Sequence, residues 1–322
     1  MGAGLIGPKN DKSFNQAAYE GMQKAARENP DITISSVLEN RDDAASQTDS
    51  VQTLAPIDNV VVGVSASYGP VFDSTVDQFP DTTFITLFGS PARFHRNVYS
   101  FVPDRGYPGY EAGVIAAHLT RDRTVGFIGG ADIPPTEQSL VAYTAGVRSV
   151  DPSIRVLKNI IGDFNDVAKA KAATSAMLSD GADVILPYLD AGIAGAFAAG
   201  TASGRNPPMF KLDLPDCTSY PNTIGTDLAD NELAADTMLR RIAEGSLQPP
   251  GEAVFADLKD PSLQRLELCP RYRSEIGDIA QRTIDGLNSG DIRLPDDALN
   301  PRPDYPWREG FDGELHNASS GG

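Results

Sequence analysis

Short β-branched apolar runs alternate along the chain with longer segments whose apolar positions recur at helical spacing. The runs "GAGLIG" (2–7), "ITISSVL" (32–38), "NVVVGVS" (59–65), "TTFITLF" (82–88) and "VYSFV" (98–102) predict a first series of strands. The runs "TVGFIGG" (124–130), "IRVLKNII" (154–161), "ADVILPY" (182–188), "PMFKLD" (208–213) and "NTIGTD" (222–227) predict a second. Continuous apolar runs of this length suit strands buried on both faces of a parallel sheet. Helices are expected between them over 15–28, 107–119, 137–149, 166–179, 191–200, 230–244 and 272–288. In the first of these, Ala18, Met22, Ala25 and Ala26 share a stripe. The βαβ rhythm implies right-handed crossovers with helices on both sheet faces.

The rhythm runs twice. It breaks near "FVPDRGYP" (101–108), where Pro103, Gly106 and Pro108 interrupt both periods. Two similar α/β lobes follow from this, with further crossings expected near 227–230 and 254–262. The expected division is 1–104 plus 228–254 for the N-terminal lobe and 105–227 plus 255–294 for the C-terminal lobe. A Pro-, Asp- and Gly-rich tail over 295–322 reads as irregular, with Tyr305 and Trp307 as its surface anchors.

Composition narrows the function classes. At 322 residues the chain can build two cores. No run approaches the roughly 20 apolar residues of a membrane-spanning helix. The formal charge of −17, with no basic stripe, argues against a nucleic-acid partner. Met1 leads straight into the first strand without a signal peptide, as in an exported protein lacking its leader or a cytosolic one. Cys217 and Cys269 are too few for a disulfide scaffold or a thiolate metal site, and a single bridge or two separate thiols both fit. His95, His118 and His316 have no ligand-like spacing, and "GFIGG" lacks the spacing of a phosphate loop. No metal, cofactor or catalytic residue is expected.

In open parallel sheets, ligands sit beyond the carboxyl ends of the strands. With two lobes facing each other, that rule predicts a cleft between them. The strand ends carry Asn10, Ser13, Phe14 and Asn15 after the first strand, and Ser65, Ser67 and Tyr68 after the third. Phe88, Gly89 and Ser90 follow the fourth; Asp104 follows the first crossing; Tyr188, Asp213 and Asp227 end strands of the second series. Aromatic faces suit stacking on a ring, and carboxylates accept paired bonds from hydroxyls or ring N–H groups. Ser13 also suits the N-cap of the first helix, with Gln16 closing a capping box.

The stretch "NDKSFNQAAYEGMQKA" resembles the N-terminal fingerprint of the basic membrane protein family, lipoprotein solute-binding components of ABC transporters best known for purine nucleosides. "YEAGVIAAHLTRDRTVGFIGG", "GVRSVDPSIRV", "IGDFNDVAKAKAATSAMLSDGADVILPYLDAGIAGAF" and "IAEGSLQP" follow in the family's order, so that the similarity covers roughly 2–292. The resemblance implies the two-lobed type I periplasmic-binding-protein fold, each lobe a parallel sheet with helices on both faces. It implies a monomeric receptor that meets ABC permease subunits in the periplasm or at the outer face of the cytoplasmic membrane, lipid-anchored or soluble. It places a base-stacking ring on Phe14, its neighbour on Asn15, a second aromatic on Tyr188, and ribose-holding carboxylates on Asp104 and Asp213. The chain departs from the family pattern at "GPKN", where relatives carry an aspartate, and at "TDLADN", where relatives carry a lysine and this chain has Asp227. A purine nucleoside is the first expectation, with a sugar or another heterocycle as the alternative. An enzyme on such ligands would want a dense Asp cluster near the N-terminus, and a regulatory domain of this fold would want a DNA-binding head; neither is found.

Overall fold

The structure is a computed structural model. It describes residues 1–11, 14–89, 91, 93, 95–212, 217–229, 231–247, 253–256 and 264–298, with backbone alone at 228, 229 and 253–256. The chain divides into two compact units, passing from the first to the second at 103/104, back at 228/229, and over again between Ala256 and Gln264.

Elements are numbered along the chain. The first unit holds β1 (Gly2–Leu5), β2 (Ser36–Leu38), β3 (Val60–Val64), β4 (Thr83–Leu87), β5 (Val98–Pro103) and β11 (Ala253–Ala256). Its sheet runs β11-β5-β4-β3-β1-β2, every pairing parallel. One face is covered by α1 (Phe14–Glu28) and α8 (Asn231–Ala243), which bury Ala18, Met22 and Ala25 together with Ala234, Met238 and Leu239. The other face is covered by α2 (Ala44–Leu54) and α3 (Tyr68–Thr75), whose Val51, Leu54, Tyr68 and Phe72 form a separate core. Two apolar layers explain why these strands read as unbroken apolar runs rather than alternating ones.

The second unit holds β6 (Thr124–Gly129), β7 (Arg155–Ile160), β8 (Val184–Tyr188), β9 (Met209–Leu212), β10 (Thr223–Ala229) and β12 (Gln264–Leu268), in the order β12-β10-β9-β8-β6-β7. The pairs β6–β7, β6–β8, β8–β9 and β9–β10 are parallel. On one face α4 (Gly106–Leu119), α5 (Pro134–Val150) and α9 (Pro270–Ser289) bury Ile115, Tyr143, Val147, Tyr272 and Ile276. On the other, α6 (Val167–Ser179) and α7 (Ile193–Ala202) bury Ala170, Ala173, Met177, Ala196 and Phe197. The α4–α5 pair is unusually close because glycines face backbone: a Cβ at Gly113 would lie 2.1 Å from the Tyr143 carbonyl oxygen, and one at Gly146 would lie 2.2 Å from that of Tyr110.

Cys217 and Cys269 are joined by a disulfide, their Cα atoms 5.6 Å apart. It ties the segment after β9 to the residue that opens α9, closing one of the two alternatives the sequence leaves open. A short 3-10 turn over 296–298 buries Ala298 wholly, with its carbonyl against Gly106 at the start of α4. Residues 299–322 lie outside the described residues.

Candidate functional site

In the first unit the site is built where β1, β3 and β4 end. The β1–α1 loop is tied down by one carboxylate. Asp11 accepts from the backbone N–H of Asn15 (3.1 Å) and of Gln16 (3.1 Å), and from the Asn15 side-chain amide (2.8 Å). Asn15 Oδ1 in turn accepts from the Gly7 N–H at 3.2 Å. Asp11 therefore satisfies free N–H groups in the first turn of α1, the task expected of Ser13. Asn15 is 4% exposed, with both ends of its amide engaged, and so fixes the loop against the end of β1. Asn10 is exposed in the same turn; Ser13 lies outside the described residues.

Phe14, the first residue of α1, is half-buried, and its ring meets that of Phe88 edge to face, centroids 4.8 Å apart. Phe88 follows β4 directly, and its ring contacts Phe101 at 5.9 Å. At the end of β3, the Ser67 hydroxyl and backbone N–H both donate to Ser65 Oγ (3.0 and 3.2 Å), and Gln47 donates to Ser67 Oγ at 2.7 Å. Ser67 is exposed and Ser65 half-buried. Tyr68 opens α3 and its ring is 0% exposed, lying under the sheet where Gly4 and Gly63 leave room for it.

In the second unit the site residues gather around Arg105. Its guanidinium lies 3.5 Å from Asp227 and 6.0 Å from the centre of the Tyr188 ring. Gln264, the first residue of β12, accepts from the Asp104 N–H at 2.9 Å, and Asp104 Oδ1 accepts from the Gly106 N–H at 3.1 Å. Asp104, Arg105, Tyr188 and Asp227 are each at most 5% exposed. Tyr188 stacks on Phe127 and meets Phe164 edge to face. Asp213 lies outside the described residues.

Burial raises the Asp227 carboxyl above its ordinary range, with Arg105 and then Gln264 pulling the other way. Below it, Glu111 on α4 is wholly buried and neither of its carboxyl oxygens has a hydrogen-bond partner among the described residues. Its pKa is pushed well up, first by desolvation and then by the charge of Asp227, which favours the neutral acid. Arg105, Glu111 and Gln264 belong to this grouping and are absent from the residues read at the strand ends. Arg105 had a signal, since it follows Asp104 directly in "VPDRG"; Gln264 had none, because β12 follows a stretch with no clear strand pattern.

The arrangement offers stacking rings, hydroxyls and carboxylates. Among the described residues no group of His, Cys, Asp or Glu has the geometry to hold a metal ion. No helix among them is long and apolar enough to cross a membrane.

The family model for PnrA-like ABC transporter substrate-binding proteins matches residues 5–262. The nucleoside-binding protein BmpA of an ABC transporter from Lactococcus lactis is 30% identical over 206 residues, 63% of this chain and 58% of that protein. A purine-binding protein of Brucella abortus is 27% identical over 189 residues, 58% of this chain and 53% of its own length. The chain thus spans somewhat over half the length of these two relatives. Among solved structures, a solute-binding protein of an ABC transporter system from Aeropyrum pernix superposes with a TM-score of 0.76 at 17% identity, covering 92% of this chain and 94% of that one. The fold is therefore the type I fold of periplasmic solute-binding proteins. These relatives are named for binding substrates rather than transforming them. The chain belongs to the Bmp family of PnrA-like ABC transporter substrate-binding proteins.

Proposed function

We propose that this protein is the solute-binding component of an ABC importer and that it takes a small ring-containing solute, a purine nucleoside first among them. The observation that carries the reading is the Phe14–Phe88 aromatic pair at the strand ends of the first unit, in a chain of the Bmp family. A half-buried ring at a strand end can stack on a planar base. Asp104 and Asp227 in the second unit, with Asn10, Ser65 and Ser67 in the first, supply the polar bonds that orient a nucleoside. The permease reads the liganded state of the protein, which the solute favours by binding that state more tightly. The names of the Lactococcus and Brucella relatives support nucleosides and purines over other rings.

The protein works outside the cytoplasm, as a monomer that meets permease subunits of the membrane. The Cys217–Cys269 disulfide supports this location, because such bonds persist in oxidising compartments. Calorimetric titration with adenosine, guanosine and inosine tests the proposal. One-to-one binding is expected with a Kd between about 1 nM and a few μM. Phe14→Ala should weaken it by about 1–3 kcal/mol, the range for a base stacked on an aromatic side chain. An unchanged affinity removes Phe14 from the site.

A further inference from the structure

Phe88 stands at the end of β4 with φ = 75°, in the left-handed region that bulky side chains rarely adopt. The conformation is held from several sides. The Phe88 N–H donates to the Phe101 carbonyl at 2.7 Å. Thr86 Oγ1 lies 2.5 Å from the Gly89 carbonyl oxygen and 2.9 Å from Ser100 Oγ. Gly89 passes so close to Ala66, beyond the end of β3, that a Cβ there would lie 2.4 Å from the Ala66 Cα. A backbone outlier fixed in this way, at the end of a strand and beside a candidate ligand-facing ring, points to a local role.

The turn brings the Phe88 ring to 4.8 Å from that of Phe14, at 61° between their planes, while its other neighbour is the wholly buried Phe101 at 5.9 Å and 77°. Phe88 itself is only 7% exposed. The three rings form a row from the core to the start of α1. Phe14 heads a helix whose first turn is fixed by Asp11, and its half-buried ring lies against the first unit's core with Phe88 as its ring neighbour.

We propose that Phe88 is a positioning residue for ring-containing solutes: its edge-to-face contact sets the pitch of the Phe14 ring, and the left-handed turn after β4 exists to place it there. The proposal rests on the reading that Phe14 serves the solute. Phe88 does not stack on the solute itself; it removes the cost of ordering Phe14 at the moment of binding.

The test uses Phe88→Gly, which suits the left-handed turn while deleting the ring, together with Phe88→Tyr, which keeps the ring, and Phe101→Leu, which loosens the same core one ring further in. Each is titrated with adenosine, guanosine and inosine, alone and in a Phe14→Ala background, and each is melted without ligand. The expected result is a loss of affinity of about three- to tenfold for Phe88→Gly, the range of an edge-to-face pair. Phe88→Tyr should retain affinity, Phe101→Leu should lower the melting temperature without changing affinity, and Phe88→Gly should have no further effect once Phe14 is alanine. If Phe88→Gly binds like the parent, or weakens binding equally with and without Phe14, the positioning role is overturned while the nucleoside reading stands. If the parent protein binds none of the three nucleosides, that reading falls and the positioning role falls with it.

Discussion

Glu111 is a carboxylic acid with no exposed surface and no hydrogen-bond partner for either oxygen among the described residues. Its raised pKa, caused by burial and then by Asp227, has a defined sign in stability. Above the pH at which the unfolded chain releases this proton, the folded state still holds it. The folded state then binds more protons, and stability falls as pH rises until the folded group also ionises. Asp227, raised by burial, adds to the same trend. The carboxylates held low by hydrogen bonds, Glu39, Asp43, Asp151 and Asp166, stabilise the fold above the ordinary carboxyl range and lose that contribution only as pH falls into acid. Glu111→Gln should therefore flatten the decline in melting temperature as pH rises above the ordinary carboxyl range of about 4. Parallel curves for the two proteins would show that Glu111 does not govern it. At this scale the sequence reveals which residue types sit at strand ends but not which way each side chain turns. Phe14 and Tyr68 both follow strands, yet one keeps part of its ring at the surface and the other fills the space left by Gly4 and Gly63.

Whole elements were more legible than side chains, and the exceptions have physical causes. The strands β1 to β10 and the helices with continuous apolar stripes could be read from their periods. The strands β11 and β12 and the helices α2 and α3 could not. "AASQTDSVQTL" carries only Val51 and Leu54 as large apolar residues and is started by a capping box between Asp43 and Ser46. "YGPVFDST" is short and contains Gly69 and Pro70, yet Pro70 sits in the first turn of a helix, where its missing N–H costs nothing. Two predictions belong here. Gly113→Ala would gain about 1 kcal/mol of helix propensity, but its Cβ would meet the Tyr143 backbone at 2.1 Å. Backbone cannot move aside, so overpacking wins and a net loss of about 1–3 kcal/mol is expected by thermal unfolding. Gly277→Ala in α9, where the nearest atom is 3.6 Å away on the Arg273 side chain, should instead stabilise. The second concerns the disulfide. It closes a separation of 52 residues, so the Cys217→Ser, Cys269→Ser double variant should lose about 2–4 kcal/mol in a denaturant titration. A midpoint equal to that of the parent would contradict the expected role of the bridge.

At the scale of the molecule, the repeated βαβ rhythm is the feature that the sequence carries most plainly. It appears as two sheets with matching strand orders, each with helices on both faces. The two units each place polar and aromatic side chains at strand ends, and the chain passes between the units three times. Asp104, Asp227 and Gln264 stand beside those three passages within the second unit, a grouping that no local pattern could disclose because it joins residues 160 positions apart. Membership of the Bmp family gives this architecture its setting as a transport receptor. The most direct test of that account is calorimetric titration of the full chain with adenosine, guanosine, inosine, their free bases and simple sugars. One-to-one binding of at least one nucleoside is expected, with a Kd from about 1 nM to a few μM. Heats indistinguishable from dilution across the whole panel would contradict it.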